Sequence, residues 1–222
     1  MTSTLTTSPV VELLDRLYAD SKQSYQVLGQ LFGQLSREER AARMADPRTD
    51  YRAFYAQARE VHMPVSRDTG ALLYMLARAT RARAIVEFGT SFGISTVQLA
   101  SALRDNGGGK LIGTELEPSK LLHARMNLAE AGLSDLVELR EGDALEQLAH
   151  DLPAVIDLVL LDGHKPLYAQ ILSLVAPRLR TGAFIVADNA DACPEYKALV
   201  RAPGSGYLSI AYEADVELTM KL

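Results

Sequence analysis

The sequence predicts a doubly wound α/β fold, in which a mostly parallel seven-stranded sheet follows a helical N-terminal extension. From residue 84 onward, short apolar runs alternate with helical stretches, as is typical of βαβ units and a parallel sheet. The last two apolar runs are joined by Glu213–Asp215 alone, which permits an antiparallel hairpin at the sheet edge. Apolar residues of the first third recur at helical spacing instead. We therefore expect an extension over residues 1–61 and an α/β domain over residues 62–222.

Helical periodicity covers most of the N-terminal extension. Apolar stripes run over residues 10–18 and 28–35, as expected for amphipathic helices. Ser36 followed by Glu39 matches a capping box, which opens a helix. Residues 46–50 form a polar break. Further helices are predicted over residues 52–61 and 68–79.

Seven apolar runs are predicted to be the strands of the sheet. Pro118 stands where a first helical turn tolerates proline, and Gly132 ends the helix that begins there. Other helices between strands are predicted over residues 95–103 and 167–179. The predicted strands cover residues 84–88, 110–115, 137–140, 157–161, 183–187, 207–212 and 216–222.

Composition excludes several classes of function. The chain is 48% hydrophobic and 23% charged, with a net charge of -5 and no basic block, so we expect no nucleic-acid partner. No apolar stretch reaches the roughly 18 residues that a transmembrane helix needs, so no membrane association is expected. Cys193 is the single cysteine, which suits a reducing, cytoplasmic location.

A glycine-rich turn follows the first predicted strand and opens a helix. Gly89 permits a sharp turn and close approach of a ligand, and the amides of the following helix can face a carboxylate. With Gly93 it forms the pattern G-x-x-x-G rather than the G-x-G-x-x-G of dinucleotide-binding proteins. This difference favours S-adenosylmethionine, which has no pyrophosphate, as the ligand.

Acidic residues follow the next two predicted strands. Glu115 ends the second strand, 26 residues after Gly89, where a carboxylate can accept both hydroxyl groups of a ribose. Asp143, in the Gly142–Ala144 segment after the third strand, can accept a hydrogen bond from an adenine amino group. All three features lie at the carboxyl ends of strands, where open α/β sheets bind ligands.

A second acidic group follows the fourth and fifth predicted strands. Asp162 ends the fourth strand, and Asp188 and Asn189 end the fifth. Because neighbouring strands lie about 4.8 Å apart, these side chains can converge on one point and offer the oxygen ligands that Mg²⁺ prefers. Lys165 lies three residues after Asp162. A neighbouring cation should lower the pKa of this lysine, which allows it to act as a general base.

From about residue 62 onward, the chain resembles the catechol O-methyltransferase family, including its caffeoyl-coenzyme A and bacterial relatives. The resemblance rests on the segment Glu87–Ser95, on Glu115 with Pro118, on Asp162-x-x-Lys165 and on Asp188–Asn189. It implies the class I methyltransferase fold. It also implies that Asp162, Asp188 and Asn189 bind Mg²⁺ or another divalent cation, and that Lys165 is the catalytic base.

The same resemblance implies a binding site for S-adenosylmethionine. Met63 and Val65 match the segment that covers the methionine end, and His164 stands where animal catechol enzymes carry a tryptophan that stacks on the cofactor. The full set of implied cofactor-binding residues is Met63, Val65, Gly89, Thr90, Ser91, Ser95, Glu115, Leu116, Gly142, Asp143, Ala144, Asp162 and His164.

The sequence therefore predicts methyl transfer from S-adenosylmethionine to a hydroxyl group of a small molecule, either a catechol or a vicinal diol, by a homodimer. A metal-independent N- or O-methyltransferase is one alternative. A non-catalytic cofactor-binding partner that acts through its N-terminal helices is another. An NAD-dependent dehydrogenase is a third, although the missing third glycine and the terminal hairpin argue against it. The N-terminal helices and the loop 190–205 are expected to line the acceptor pocket.

Overall fold

The computed structural model describes residues 3–33, 36, 39 and 50–222. Its centre is a seven-stranded sheet with the order β3-β2-β1-β4-β5-β7-β6. The first five strands along the chain run parallel, whereas β7 is antiparallel to both β5 and β6. The predicted doubly wound sheet with a terminal antiparallel hairpin is thereby confirmed. The strands are β1 Ala84–Phe88, β2 Lys110–Glu115, β3 Val137–Glu141, β4 Ile156–Leu161, β5 Leu179–Ala187, β6 Tyr207–Tyr212 and β7 Val216–Lys221.

Helices precede the sheet and connect its strands. Both halves of the predicted capping box are present, since the Ser36 amide donates to Glu39 Oε2 at 2.7 Å and the Glu39 amide donates to Ser36 Oγ at 3.1 Å. The predicted break lies outside the described residues, apart from Asp50, and so do residues 34 and 35 of the second apolar stripe. The described α-helices are α1 Val10–Phe32, α2 Tyr51–Gln57, α3 Arg67–Ala79, α4 Ile94–Asp105, α5 Pro118–Glu130, α6 Ala144–Gln147, α7 Tyr168–Val175 and α8 Pro194–Arg201.

Two apolar cores cover the two faces of the sheet. Alternate residues of a strand point to opposite faces, so Ile85 belongs to one core and Val86 to the other. The first half of α1 packs in the Ile85 core together with α3 and α4, whereas α7 and α8 pack in the Val86 core. No helix in the described ranges combines the length and hydropathy needed to span a bilayer.

One boundary differs clearly from the sequence-based prediction. The predicted helix over residues 167–179 is shorter in the structure, because α7 ends at Val175 and a 3-10 turn follows. Pro177 lies in that turn, and its missing backbone N–H interrupts the hydrogen bonds that would continue the α-helix. Strand β5 then begins at Leu179, which pairs with Ile156. Pairing with β4 therefore extends the strand through a polar segment that carries no strand-like pattern.

Candidate active site

The carboxyl ends of the parallel strands meet at the rim of one cavity of about 300 Å³. Backbone hydrogen bonds hold neighbouring strand ends together: the Asp162 amide donates to the Phe88 carbonyl at 2.8 Å, and the Asp188 amide to the Leu161 carbonyl at 2.9 Å. The cavity thus joins the glycine turn to the acidic residues of β4 and β5. The predicted site residues that line it are Met63, Gly89, Ser91, Glu115, Leu116, Gly142, Asp143, Ala144, Asp162, His164, Lys165, Asp188 and Asn189.

Three predicted cofactor-binding residues do not line this cavity. Val65 is buried in the apolar core, with 1% of its surface exposed. Thr90 and Ser95 line a smaller adjoining pocket, and both side chains are engaged by Glu87. Their hydroxyl groups therefore hold the glycine turn in place.

Gly89 brings the glycine turn into contact with the end of β4. Its backbone is left-handed, with φ +97°, and a methyl group on its Cα would lie 2.5 Å from the Asp162 carbonyl oxygen. Gly93 has φ +84° and begins α4 against α5, where an added methyl group would lie 3.3 Å from Ala124 Cβ. The glycines are therefore required by close packing of the backbone as well as by the turn.

Glu87 is a buried carboxyl group that the sequence-based list of site residues omits. It accepts hydrogen bonds from Ser95 Oγ and Thr96 Oγ1 at 2.6 Å and from Thr90 Oγ1 at 3.0 Å. Burial raises the pKa of Glu87 to about 7, although these hydroxyl groups counteract the shift. The signal in the sequence is a single acidic residue within an apolar strand, a position where an unpaired charge is costly.

Two carboxylates lie at the ends of β2 and β3. Glu115 accepts hydrogen bonds from the amides of Ser91 and Glu117 at 2.7 and 2.9 Å. Asp143 caps α6 by accepting from the Leu145 amide at 3.0 Å. The cap leaves Asp143 Oδ2 directed at the cavity wall, where α2 contacts it.

Helix α2 covers the part of the cavity next to Asp143. The Tyr51 hydroxyl and Arg52 Nη2 donate to Asp143 Oδ2 at 2.9 and 2.7 Å. The Tyr51 ring stacks on His164, with centroids 4.6 Å apart, and Tyr55 approaches His164 edge-on. Burial, with a smaller contribution from Lys165, lowers the pKa of His164 to about 4, so its imidazole is neutral at pH 7. The aromatic residues of α2 were not predicted as site residues, although their clustering within five positions is visible in the sequence.

The acidic residues at the ends of β4 and β5 do converge. Asp162, Asp188 and Asn189 line the same cavity, and the two carboxyl groups are close enough to influence each other's pKa. Burial raises the pKa of Asp162, and burial together with Asp162 raises the pKa of Asp188 to about 8. Asn189 has left-handed backbone, with φ +51°, and its Nδ2 lies 3.4 Å from Asp215 Oδ2.

Lys165 is buried beside these acids. Its Nζ lies 3.0 Å from Asp162 Oδ1 and 2.9 Å from the Tyr168 hydroxyl, which itself donates to the Asp188 carbonyl at 2.8 Å. Burial would lower the pKa of Lys165, but Tyr168 and Asp162 outweigh it and hold the pKa well above its usual value. The lowered pKa that the sequence predicts depends on a cation beside Lys165, so it stays a prediction.

The donor set of this site suits a hard divalent cation. Two carboxylates and one amide oxygen come from adjacent strand ends, and a cation among them would relieve the repulsion that raises the pKa of Asp188. Among residues 3–33, 36, 39 and 50–222, no three His, Cys, Asp or Glu side chains form a metal-binding group. The protein ligands available to a cation at this site are therefore the Asn189 amide and the Asp162 and Asp188 carboxylates.

The acceptor pocket differs from the expectation in one respect. The N-terminal extension does line the cavity, through Tyr51, Phe54 and Tyr55 of α2, but no residue of the segment 190–205 does. Cys193 and Tyr196, which belong to this segment, are buried in the apolar core instead. Part of the cavity wall is thus built by α2.

The fold is that of the class I methyltransferases, and comparisons with known proteins agree. Residues 86–190 match the family model described as a methyltransferase domain. The O-methyltransferase TomG from Streptomyces achromogenes, solved in complex with S-adenosylmethionine, is 27% identical with a TM-score of 0.66, over 78% of this chain and 90% of that one.

Some of the relatives are named catechol O-methyltransferases. The protein of that name from Niastella koreensis is 37% identical over 136 residues, 59% of this chain and 61% of the relative. The one from Mycobacterium tuberculosis is 36% identical over 125 residues, 56% of each chain. These alignments span less than two thirds of each relative. The resemblance to the catechol O-methyltransferase family is confirmed for this methyltransferase domain.

Proposed function

We propose that this protein is an O-methyltransferase that transfers the methyl group of S-adenosylmethionine to a hydroxyl group of a small molecule, with a divalent cation such as Mg²⁺. The observation that carries the proposal is the single cavity, which joins the glycine turn and Glu115 to the acids of β4 and β5. The names of the relatives and the ligand of TomG support the same reaction.

Donor binding is assigned to the half of the cavity next to β1, β2 and β3. Glu115 would accept the ribose hydroxyl groups, since its carboxylate is already oriented by two backbone amides. Asp143 and His164 would hold the adenine by a hydrogen bond and by stacking. The buried Nδ1 of His164 has no hydrogen-bond partner in the structure, which is consistent with a ligand at this end.

Acceptor binding is assigned to the half next to β4 and β5. Asp162, Asp188 and Asn189 would hold the divalent cation. When bound, such a cation lowers the pKa of an acceptor hydroxyl group and orients it. A catechol or vicinal diol offers two adjacent oxygens for this arrangement.

Lys165 is assigned the removal of the hydroxyl proton. The oxygen forms a bond to the methyl carbon while the bond between that carbon and sulfur breaks, which yields a methyl ether and S-adenosylhomocysteine. The released proton goes to Lys165 Nζ. That step needs a neutral amine, so the negative charge of Asp162, 3.0 Å from Nζ, must be balanced by other positive charge.

A metal-independent O-methyltransferase is the second candidate. The direct ion pair between Lys165 and Asp162 favours it, because that pair satisfies one carboxylate without a cation. Activity with and without EDTA separates the two candidates.

Titration with S-adenosylhomocysteine and a methylation assay test the proposal. We expect calorimetric binding of S-adenosylhomocysteine, absence of binding of NAD, and methylation of catechol that requires Mg²⁺. Full activity in EDTA would favour the metal-independent candidate. Absence of S-adenosylhomocysteine binding by the folded protein would contradict the proposal as a whole.

A further inference from the structure

Helix α2 presents two tyrosines to the cavity, one helical turn apart. Tyr51 and Tyr55 are separated by four positions, so their side chains share a face of the helix, and both rings contact His164. Their hydroxyl groups differ. The Tyr51 hydroxyl donates to Asp143, whereas that of Tyr55 forms no hydrogen bond with any residue in the described part of the chain. Helix α2 therefore leaves one phenol hydroxyl group free to bind a ligand in the cavity that Tyr55 lines.

Two aromatic neighbours hold the ring of Tyr55 in place. Phe54 contacts it edge-on, with ring centroids 5.3 Å apart and planes inclined by 77°, and His164 does so at 6.3 Å and 89°. All three residues line the cavity, and Tyr55 itself is half-buried. A side chain that is already ordered loses little further conformational entropy when it binds a ligand. The free hydroxyl group is thus preorganised for an interaction inside the cavity.

The charges that act on Tyr55 indicate which half of the cavity its hydroxyl group faces. Burial raises the pKa of Tyr55 to about 12; among its charged neighbours, Lys165 has the largest effect and lowers the pKa, whereas Asp162 and then Glu115 raise it. Because such interactions weaken with distance, the hydroxyl group is assigned to the Lys165 side of the cavity, which is the acceptor half. A phenol keeps its proton at neutral pH, so this group is a hydrogen-bond donor there.

The acceptor half is where negative charge would develop during methyl transfer. An acceptor hydroxyl group that gives its proton to Lys165 becomes negatively charged before its oxygen bonds to the methyl carbon. Hydrogen bonds to an ionised oxygen are stronger than those to a neutral one, and a fixed donor directed at developing charge stabilises it without reorganisation. Tyr55 offers such a donor from the wall that α2 contributes.

We propose that the Tyr55 hydroxyl group donates a hydrogen bond to the acceptor oxygen as that oxygen loses its proton, so that Tyr55 is a further catalytic residue. This inference rests on the proposed function. Tyr55 keeps its own proton throughout, and the acceptor proton goes to Lys165 as assigned above. Tyr55 thereby makes the ionised form of the acceptor more stable at neutral pH.

The test measures how readily an acceptor analogue ionises on the protein. The absorbance of 4-nitrocatechol changes when it loses a proton, so its apparent pKa can be followed in a complex with S-adenosylhomocysteine, which has no methyl group to transfer. We expect Tyr55→Phe to raise the apparent pKa of bound 4-nitrocatechol by about one unit, a tenfold change in ionisation, because a hydrogen bond to a charged group is lost. Titrations with Mg²⁺ and with EDTA make the result independent of which candidate function holds.

Kinetics with catechol supply a second measurement. Tyr55→Phe should lower kcat/KM for catechol about tenfold at neutral pH, and the loss should shrink at alkaline pH, where the acceptor ionises without help. The KM for S-adenosylmethionine should stay within about twofold of the wild-type value. A merely structural role of Tyr55 would not produce this dependence on pH.

Two controls separate this effect from a change in folding. Tyr55→Phe removes no hydrogen bond within the described part of the protein, so urea denaturation should give an unchanged free energy of unfolding. Tyr212→Phe, at a half-buried tyrosine of β6 that does not line the cavity, should leave the apparent pKa of bound 4-nitrocatechol unchanged.

The outcomes distinguish the inference from the proposed function. An unchanged apparent pKa in Tyr55→Phe would overturn the inference. So would weaker binding of S-adenosylhomocysteine without that change, because it would show that the hydroxyl group contacts the donor. A folded wild type that does not bind 4-nitrocatechol in the presence of S-adenosylhomocysteine would contradict the proposed function itself.

Discussion

The phenol ring of Tyr51 lies flat on the imidazole of His164, with centroids 4.6 Å apart and planes inclined by 20°. The same tyrosine donates its hydroxyl hydrogen to Asp143 Oδ2 at 2.9 Å. One residue of the N-terminal extension thus contacts both side chains that are assigned to the adenine end of the donor site. An aromatic ring and a hydrogen-bond donor are also the features that an adenine would present to them.

Replacement of Tyr51 by phenylalanine tests whether this hydroxyl competes with the ligand. Tyr51→Phe keeps the ring and frees one hydrogen-bonding position of Asp143. We expect S-adenosylhomocysteine to bind roughly fivefold more tightly, because a hydrogen bond contributes about 1 kcal/mol. Calorimetric titration measures the change. Weaker binding would instead mean that the Tyr51 hydroxyl is part of the ligand site.

The matched control is another tyrosine that donates to an aspartate. The Tyr74 hydroxyl donates to Asp105 Oδ2 at 2.6 Å, and neither residue lines the cavity. Tyr74→Phe should lower the free energy of unfolding by about 1 kcal/mol and leave ligand affinity unchanged.

Replacement of Asp188 by asparagine tests the cation site. Asp188→Asn keeps the size of the side chain and removes one charged ligand. We expect Mg²⁺-dependent methyl transfer to fall by at least about 100-fold, the upper end of the effect of losing a second-shell partner. Affinity for S-adenosylhomocysteine should stay within about twofold, because Asp188 lies in the acceptor half.

Asp191→Asn, at an exposed position three residues further along, should retain activity and serves as the control. Normal turnover of Asp188→Asn in the presence of EDTA would show that the acidic pair has no role in binding a cation.

Gly89 provides a test of the backbone packing under the cavity. An added methyl group would lie 2.5 Å from the Asp162 carbonyl oxygen at φ +97°. We expect Gly89→Ala to lower the free energy of unfolding by about 3 kcal/mol or more, from the clash and the strained backbone together. Gly132 also has positive φ, +67°, but open space around it, so Gly132→Ala should cost only about 1 kcal/mol. Urea denaturation of both variants measures this difference, and equal costs would contradict the packing argument.

The raised pKa of Glu87 predicts how the free energy of unfolding depends on pH. Burial raises the pKa of Glu87 from 4.5 to about 7, so the folded protein retains a proton that the unfolded chain has released. The stabilisation from this protonated carboxyl group is complete below pH 4.5 and is lost as the pH rises toward 7. We expect the unfolding free energy of the wild type, relative to Glu87→Gln, to decrease over this range by up to about 3 kcal/mol.

Glu217 is the control, because its pKa moves in the opposite direction. Burial would raise the pKa of Glu217, but hydrogen bonds from Arg201 at 2.7 and 2.6 Å and from Ser209 outweigh it and lower the pKa. The advantage of the wild type over Glu217→Gln should therefore be present above pH 4.5 and disappear at lower pH. Urea denaturation across the pH range measures both differences, and slopes of the same sign would contradict the assignment.

Local patterns were sufficient to predict the strands, the glycine turn and the polar residues at the strand ends. Each of these depends on neighbours within a few positions, because side-chain direction follows the two-residue repeat of a strand or the 3.6-residue repeat of a helix. Parallel strands also place their carboxyl ends at one edge, so the meeting of Asp162 with Asp188 follows from their order alone. The domain boundary at residue 62 and the roles of the site residues stay predictions.

Other features depend on how distant segments pack. The contact of Tyr51 with Asp143 joins residues 92 positions apart, and no periodicity of either segment specifies it. The charge state of Lys165, the burial of Lys120 and the extension of β5 to Leu179 likewise arise from neighbours contributed by other elements. Backbone geometry determines which side chains of one helix or strand lie on the same face. Which helix then packs on which face of the sheet depends on the free energy gained by burying apolar surface.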